Sequence, residues 1–167
     1  LIHLRGKRYD GKRNRIRKFE KSHACRYLRL SPAHFDECLR LLGDWFQAKS
    51  PEAGLLGAQR DAVIEALAHY DALGLRGGAI EAEGRIAAFS IGQELFPGTA
   101  VIQVEIVDPA YDGLAQLMNR EFVKNEWAAC RYVNREQDLG VPGLRRAKTS
   151  YHPHHFVRKY NLFPFSR

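Results

Sequence analysis

Apolar positions recur at helical spacing along several stretches and alternate with polar ones along others. Phe35, Cys38, Leu39, Leu42, Trp45 and Phe46 form one helical stripe, and Ser31-Pro32 just ahead of it is a helix start with Ser as cap and Pro at the first position. Val63, Ile64, Leu67 and Tyr70 predict a second helix over 60–72, ending at Gly74, and the Ser/Pro/Gly-bearing stretch 49–57 before it reads as a loop. Leu114, Leu117, Met118 and Phe122 predict a third, capped by Asp112 and ending near Trp127. Strands are expected at 25–30, 77–81, 85–95, 99–107 and 131–134, with tight turns at Glu83-Gly84 and Pro97-Gly98. The run 86–91 is apolar at nearly every position, as a strand covered on both faces requires. On the strand 99–107, alternation sends Val101, Gln103 and Glu105 one way and Ile102, Val104 and Ile106 the other. A basic helix at 7–21 with Gly11 as its weak point opens the chain, and a short helix at 144–148 precedes a closing extended segment. Periodicity alone therefore predicts a mixed α/β (α+β) fold with an antiparallel centre.

The chain has 167 residues, 45% apolar and 27% charged, enough for one domain with a real core. No apolar run approaches the roughly 18 residues of a membrane span, and the start has no signal-peptide pattern. Cys25, Cys38 and Cys130 are odd in number and not in CxxC pairs, which fits a reducing cytoplasm better than a disulfide framework or a zinc site. Cys38, inside an apolar stripe, reads as packing. The charge changes the picture most. Residues 1–21 hold nine Lys or Arg against two acids, and the remainder balances, so the net +7 sits on one segment. Such a block suits nucleic acid, an anionic membrane surface or an acidic partner, or is a solvated linker.

Candidate chemistry concentrates in the last third. A strand end at Asn134 runs through the polar turn Arg135-Glu136-Gln137-Asp138 into a basic helix with Arg145, Arg146 and Lys148. Strand ends that pass through polar turns into helix N-termini are where open sheets bind ligands. Arg135 can grip a carboxylate or phosphate through its fork, and Arg145 and Lys148 can face phosphates. Asp138 is equally a salt-bridged helix cap. Glu105, on the central strand beside Gln103, suits proton handling if shielded from water; it is equally a structural ion-pair partner of Arg135 or Arg131. Tyr151 is a proton donor or a hydrogen-bonded core residue. His152, His154 and His155 lack helical ligand spacing around Pro153, so no metal site is expected.

Three stretches carry a resemblance: G-K-R-Y-D-G-K-R-N-R-I-R-K-F, L-G-L-R-G-G-A-I-E-A-E-G-R-I-A-A-F-S-I-G and N-R-E-Q-D-L-G-V-P-G-L-R-R-A-K-x-S-Y-x-P. Together they resemble the bacterial family named for the C-terminal domain of phosphatidylglycerol lysyltransferases, over about 6–160. The resemblance implies the acyl-CoA N-acyltransferase (GNAT)-like fold. It also implies that residues 23–167 are the C-terminal half of a tandem, joined through a basic linker or first helix at 1–22 to an N-terminal GNAT-like half. It implies acyl or aminoacyl transfer to an amine or hydroxyl, with aminoacyl-tRNA or acyl-CoA as donor. On that reading Glu105 and Tyr151 are catalytic, and Gln103, Asn134, Arg135, Glu136, Asp138, Arg145 and Lys148 bind substrate. Glu136 and Asp138 would take the amino group of an aminoacyl donor. Residues 1–21 would meet tRNA or anionic lipid, without stable membrane insertion.

One departure matters: where acetyltransferases of this fold show Arg/Gln-x-x-Gly-x-Gly/Ala, this chain reads Asp108-Pro109-Ala110-Tyr111-Asp112-Gly113. Two acids and a Pro there disfavour a coenzyme A diphosphate. A CoA-dependent N-acetyltransferase, which would need free amides at 110–114, and a non-enzymatic module that binds RNA or lipid stand as the alternatives.

Overall fold

The computed structural model describes residues 1–48, 53–160 and 162. They divide into two compact units, Leu1–Glu136 and a second beginning at Gln137. The first holds, in order, α1 (Asp10–Ser22), β1 (Cys25–Arg29), α2 (Phe35–Ala48), α3 (Ala53–Ala68), β2 (Arg76–Ala82), β3 (Arg85–Phe96), β4 (Thr99–Val107), α4 (Leu114–Glu126) and β5 (Tyr132–Asn134). The second holds α5 (Pro142–Thr149).

The sheet order is β1-β2-β3-β4-β5. The first four strands are antiparallel neighbours, and β5 runs parallel to β4. The β2–β3 turn places Glu83 at φ 53 and Gly84 at φ 81, the double positive φ that lets a two-residue hairpin follow the strand twist. α2 packs on β3 and β4 and carries α3 on its flank. Their side of the core joins Cys38, Leu41, Leu42, Val63, Leu67 and Tyr70 to Phe89, Ile91 and Ile106. On the other face α4 lies across β2 and β3, with Leu114, Met118 and Phe122 fully buried. α1 lies on α4 and sinks Ile16 and Phe19, each 1% exposed.

Several expectations are revised. The helix expected over 60–72 begins at Ala53, so the loop expected over 49–57 is helical from 53 onward, while 49–52 lie outside the described residues. The helix proper stops at Ala68, and a last turn closes at Gly74. There Leu75 N–H bonds Tyr70 O at 3.1 Å and Gly74 N–H bonds Asp71 O at 3.0 Å, with Gly74 at φ 60, a Schellman arrangement. In α2 it is Leu41 that is buried, while Leu39 is 37% exposed. α1 runs through Gly11 without a break. The cap of α4 is Gly113 at φ 95, not Asp112. A Cβ on Gly113 would stand 2.4 Å from the Arg15 carbonyl oxygen, so the close approach of α1 dictates the residue. α5 begins two residues earlier than expected, with Pro142 at its first turn.

Candidate functional site

The parallel pairing of β4 with β5 lasts three residues: Thr99–Tyr132, Ala100–Val133 and Val101–Asn134. Beyond it β4 continues alone against β3. The β3 register jumps from Ile91–Val104 to Gly92–Ile102, which bulges Gln103 out of the ladder. The expected alternation is therefore interrupted at Gln103, and that side chain is exposed. Past the bulge, Glu105 sits opposite Ser90 of β3.

Arg135 leaves the end of β5 and returns to Glu105. One guanidinium nitrogen donates to Oε1 at 3.1 Å and Oε2 at 3.0 Å. The side chains are 17% and 23% exposed, so this pair is only partly hydrated. Asn119 of α4, 1% exposed, donates its amide to Glu105 Oε2 at 3.4 Å. Among the described residues the buried Asn119 Oδ1 and Ser90 Oγ have no hydrogen-bond partner. Lys12, one turn before Ile16 on α1, also feels Arg135. Burial first, then the Arg135 and Arg15 cations, hold its ammonium below the usual lysine range. Glu105 and Arg135, both singled out in the sequence, thus meet where the two strands part. Asn119, Ser90 and Lys12 were not singled out. Asn119 lies in an amphipathic helix and Ser90 in an apolar run, and a polar residue at a core position is the signal that marks them.

Asn134 turns inward on its own chain. Its Oδ1 accepts the Glu136 N–H at 2.8 Å, and Glu136 is exposed with φ 56. The link from β4 to α4 is similarly self-contained. Asp108 Oδ1 takes the Ala110 N–H at 2.9 Å, Asp108 O the Tyr111 N–H at 3.3 Å, and Tyr111 O the Leu114 N–H at 3.4 Å. Asp108 also lies 3.6 Å from Arg85, and Asp112 4.0 Å from Arg15. The Tyr111 ring packs edge-on against Phe19 at 5.8 Å and His23 at 5.0 Å.

In the second unit, Asp138 is not the α5 cap; that position is Val141. Its carboxylate instead accepts Arg145 Nε at 2.5 Å and the Gly140 N–H at 3.0 Å. The Arg145 bond first, then Gly140, hold its carboxyl down to about 2. Lys148 Nζ donates to Gln137 O at 2.6 Å. Arg145 and Lys148 therefore hold the polar turn closed. Tyr151 is half-buried, its N–H on Lys148 O at 3.1 Å. Two cavities of the first unit lie away from Glu105. One of 420 Å³ is lined by Arg29, Tyr70, Arg76 and Glu126, and one of 280 Å³ by Glu20, Tyr27, Arg120 and Lys124. Among the described residues no cluster of His, Cys, Asp and Glu could hold a metal ion.

The family model described as phosphatidylglycerol lysyltransferase, C-terminal, matches residues 1–163. No curated protein matches the chain. The structure of a conserved protein of unknown function from Bacteroides thetaiotaomicron is 36% identical, with a TM-score of 0.88, over 92% of this chain and 53% of that one. This chain thus spans about half of that relative's length. A ribosomal-protein-alanine N-acetyltransferase from Brucella melitensis biovar Abortus shares 14% identity at a TM-score of 0.58, over 86% of this chain and 100% of its own. AAC(6')-Iy, in complex with a CoA-S-monomethyl-acetylneamine bisubstrate analogue, shares 11% at 0.57, over 86% and 99%. At such identities the likeness concerns the fold, a five-stranded mixed sheet flanked by helices of the acyl-CoA N-acyltransferase type.

Proposed function

Because this chain belongs to the phosphatidylglycerol lysyltransferase C-terminal family, we propose that it takes part in transferring an acyl or aminoacyl group to an amine or hydroxyl. The observation that carries this reading is the family match over residues 1–163; Glu105, which meets Arg135 where β4 and β5 part, is the candidate base. In the proposed step the acceptor nitrogen or oxygen attacks the acyl carbonyl carbon and Glu105 takes its proton. The bond from that carbon to the donor oxygen then breaks, and the oxygen leaves as a hydroxyl. Arg135 orients the Glu105 carboxylate, and Asn119 fixes it from the α4 side. The proton that Glu105 has taken passes to the leaving oxygen.

An aminoacyl-tRNA suits this chain better than a CoA thioester as donor. α1 keeps Arg17, Lys18 and Lys21 exposed, with Arg5, Lys7 and Arg8 exposed just ahead of it. Its two apolar side chains, Ile16 and Phe19, are already spent on the core. A helix with no apolar face left can still meet phosphates by charge, whereas an interfacial membrane helix needs that face. Among the described residues no helix is long and apolar enough to cross a membrane. The test is transfer from labelled aminoacyl-tRNA and, in parallel, from acetyl-CoA to small amine and hydroxyl acceptors. Glu105→Gln should lower transfer about a hundredfold or more. Transfer unaffected by that change removes Glu105 from the mechanism.

A further inference from the structure

A strand–loop–helix unit seats a diphosphate by pointing unpaired loop amides and the helix N-terminus at it. In this fold the place for that seat is the link from β4 to α4, Asp108 to Leu114. Three of its amides, those of Ala110, Tyr111 and Leu114, are already bonded within the link. Pro109 has no amide hydrogen to offer. Asp108 and Asp112 bring two carboxylates to the place where a diphosphate would need neutralising charge, and the cations beside them, Arg85 at 3.6 Å and Arg15 at 4.0 Å, are already engaged with them.

α1 then occupies what is left. Its Arg15 carbonyl stands so close to Gly113 that a Cβ there would be 2.4 Å away. That packing sets a carbonyl oxygen, itself negative, beside the helix N-terminus. Phe19 and His23 close on Tyr111, and His23 is tied to Glu83 at 2.7 Å. α1 therefore lies over the start of α4, anchored by Ile16 and Phe19.

We infer that α1 is a built-in plug over the link from β4 to α4, so this chain has no diphosphate seat there and takes its acyl group from a donor other than a CoA thioester. The inference deepens the transfer reading and rests on it only for the choice of donor. The plug gives the N-terminal basic segment a second role: its buried face closes over the link while its exposed face keeps its charge.

The test uses the full chain. Calorimetric titration with CoA, acetyl-CoA and desulfo-CoA should give no saturable binding up to millimolar ligand. Hydrogen exchange at residues 12–22 and 110–117 should be slow and unchanged by those ligands. Saturable CoA binding that desulfo-CoA competes away overturns the inference. Faster exchange of α1 on adding CoA overturns it too, because α1 would then be a displaceable lid. Phe19→Ala, read by the same exchange, should loosen residues 12–22 and 110–117 together; loosening of α1 alone would mean that the helix does not seal the link. No CoA binding and no transfer from any donor would leave the plug standing and remove the transferase reading. CoA binding with transfer would do the reverse.

Discussion

At the scale of single residues, the Glu105–Arg135 pair decides most. Both side chains are under a quarter exposed. Removing one partner leaves the other partly dehydrated without its counter-charge, which costs more than the intact pair contributes. Arg135→Met should destabilise the protein by about 2 kcal/mol, and Glu105→Gln/Arg135→Met by less than the sum of the singles. Denaturant midpoints of the four proteins check this; strict additivity would mean that the contact is not made in solution. Asp138 gives a pH prediction. Its folded carboxyl titrates at about 2, below the ordinary value of 3.8, because Arg145 and the Gly140 amide favour the ionised form. The contribution is therefore present above about pH 4 and is lost as pH falls through about 2. Carboxyl NMR titration should show that low value, rising toward 3.8 in Arg145→Ala. Cys38 is fully buried, and burial pushes its thiol up to about 12. A thiol reagent at neutral pH should label Cys25 and Cys130 well before Cys38; early labelling of Cys38 would contradict the packing of α2.

At the scale of elements, α1 is the segment whose meaning changed most. Its sequence offers one short apolar pair among basic residues, equally legible as a linker. The structure spends that pair on α4, and Phe19 is among the largest fully buried side chains. Phe19→Ala should cost about 3 kcal/mol, far more than any exposed helix position. Gly113→Ala should cost more than about 1 kcal/mol, since its φ of 95 and the Arg15 carbonyl both oppose a side chain. Equilibrium unfolding reads both; near-neutral values would show that α1 is not docked. β4 teaches a related lesson. Its apolar and polar residues alternate cleanly on paper, yet the bulge at Gln103 breaks the count. No residue type announces a bulge there, because it arises from how β3 and β4 must twist past each other.

At the scale of the whole molecule, the charge asymmetry is the feature with a measurable consequence. If the exposed face of α1 meets phosphates, RNA affinity should fall steeply with salt, and Arg17→Ser/Lys18→Ser/Lys21→Ser should lower it about tenfold or more at low salt with a shallower slope. Filter binding with charged and uncharged tRNA at two salt concentrations reads this directly. Equal binding of wild type and variant would place the RNA contact elsewhere. Flotation with anionic vesicles distinguishes the lipid reading, and salt-insensitive vesicle binding would favour it.

What the sequence determined by itself is local. Element type followed from spacing, as at Val63, Ile64 and Leu67. Turns followed from glycine and proline, as at Glu83-Gly84 and Gly74. The family followed from three stretches, among them the run from Asn134 to Pro153. Glu105 was legible as a polar residue at a strand centre, with Arg135 or Arg131 as its ion-pair partner; the structure chose Arg135. What only the tertiary structure decided depends on approach between distant segments. Sequence spacing could not show that α1 would press its Arg15 carbonyl onto Gly113, that Asn119 would reach Glu105, or that β4 and β5 would part after Val101. Periodicity records which face of an element is apolar; it does not record what that face meets, because the packing partner is chosen by the shape of the whole core.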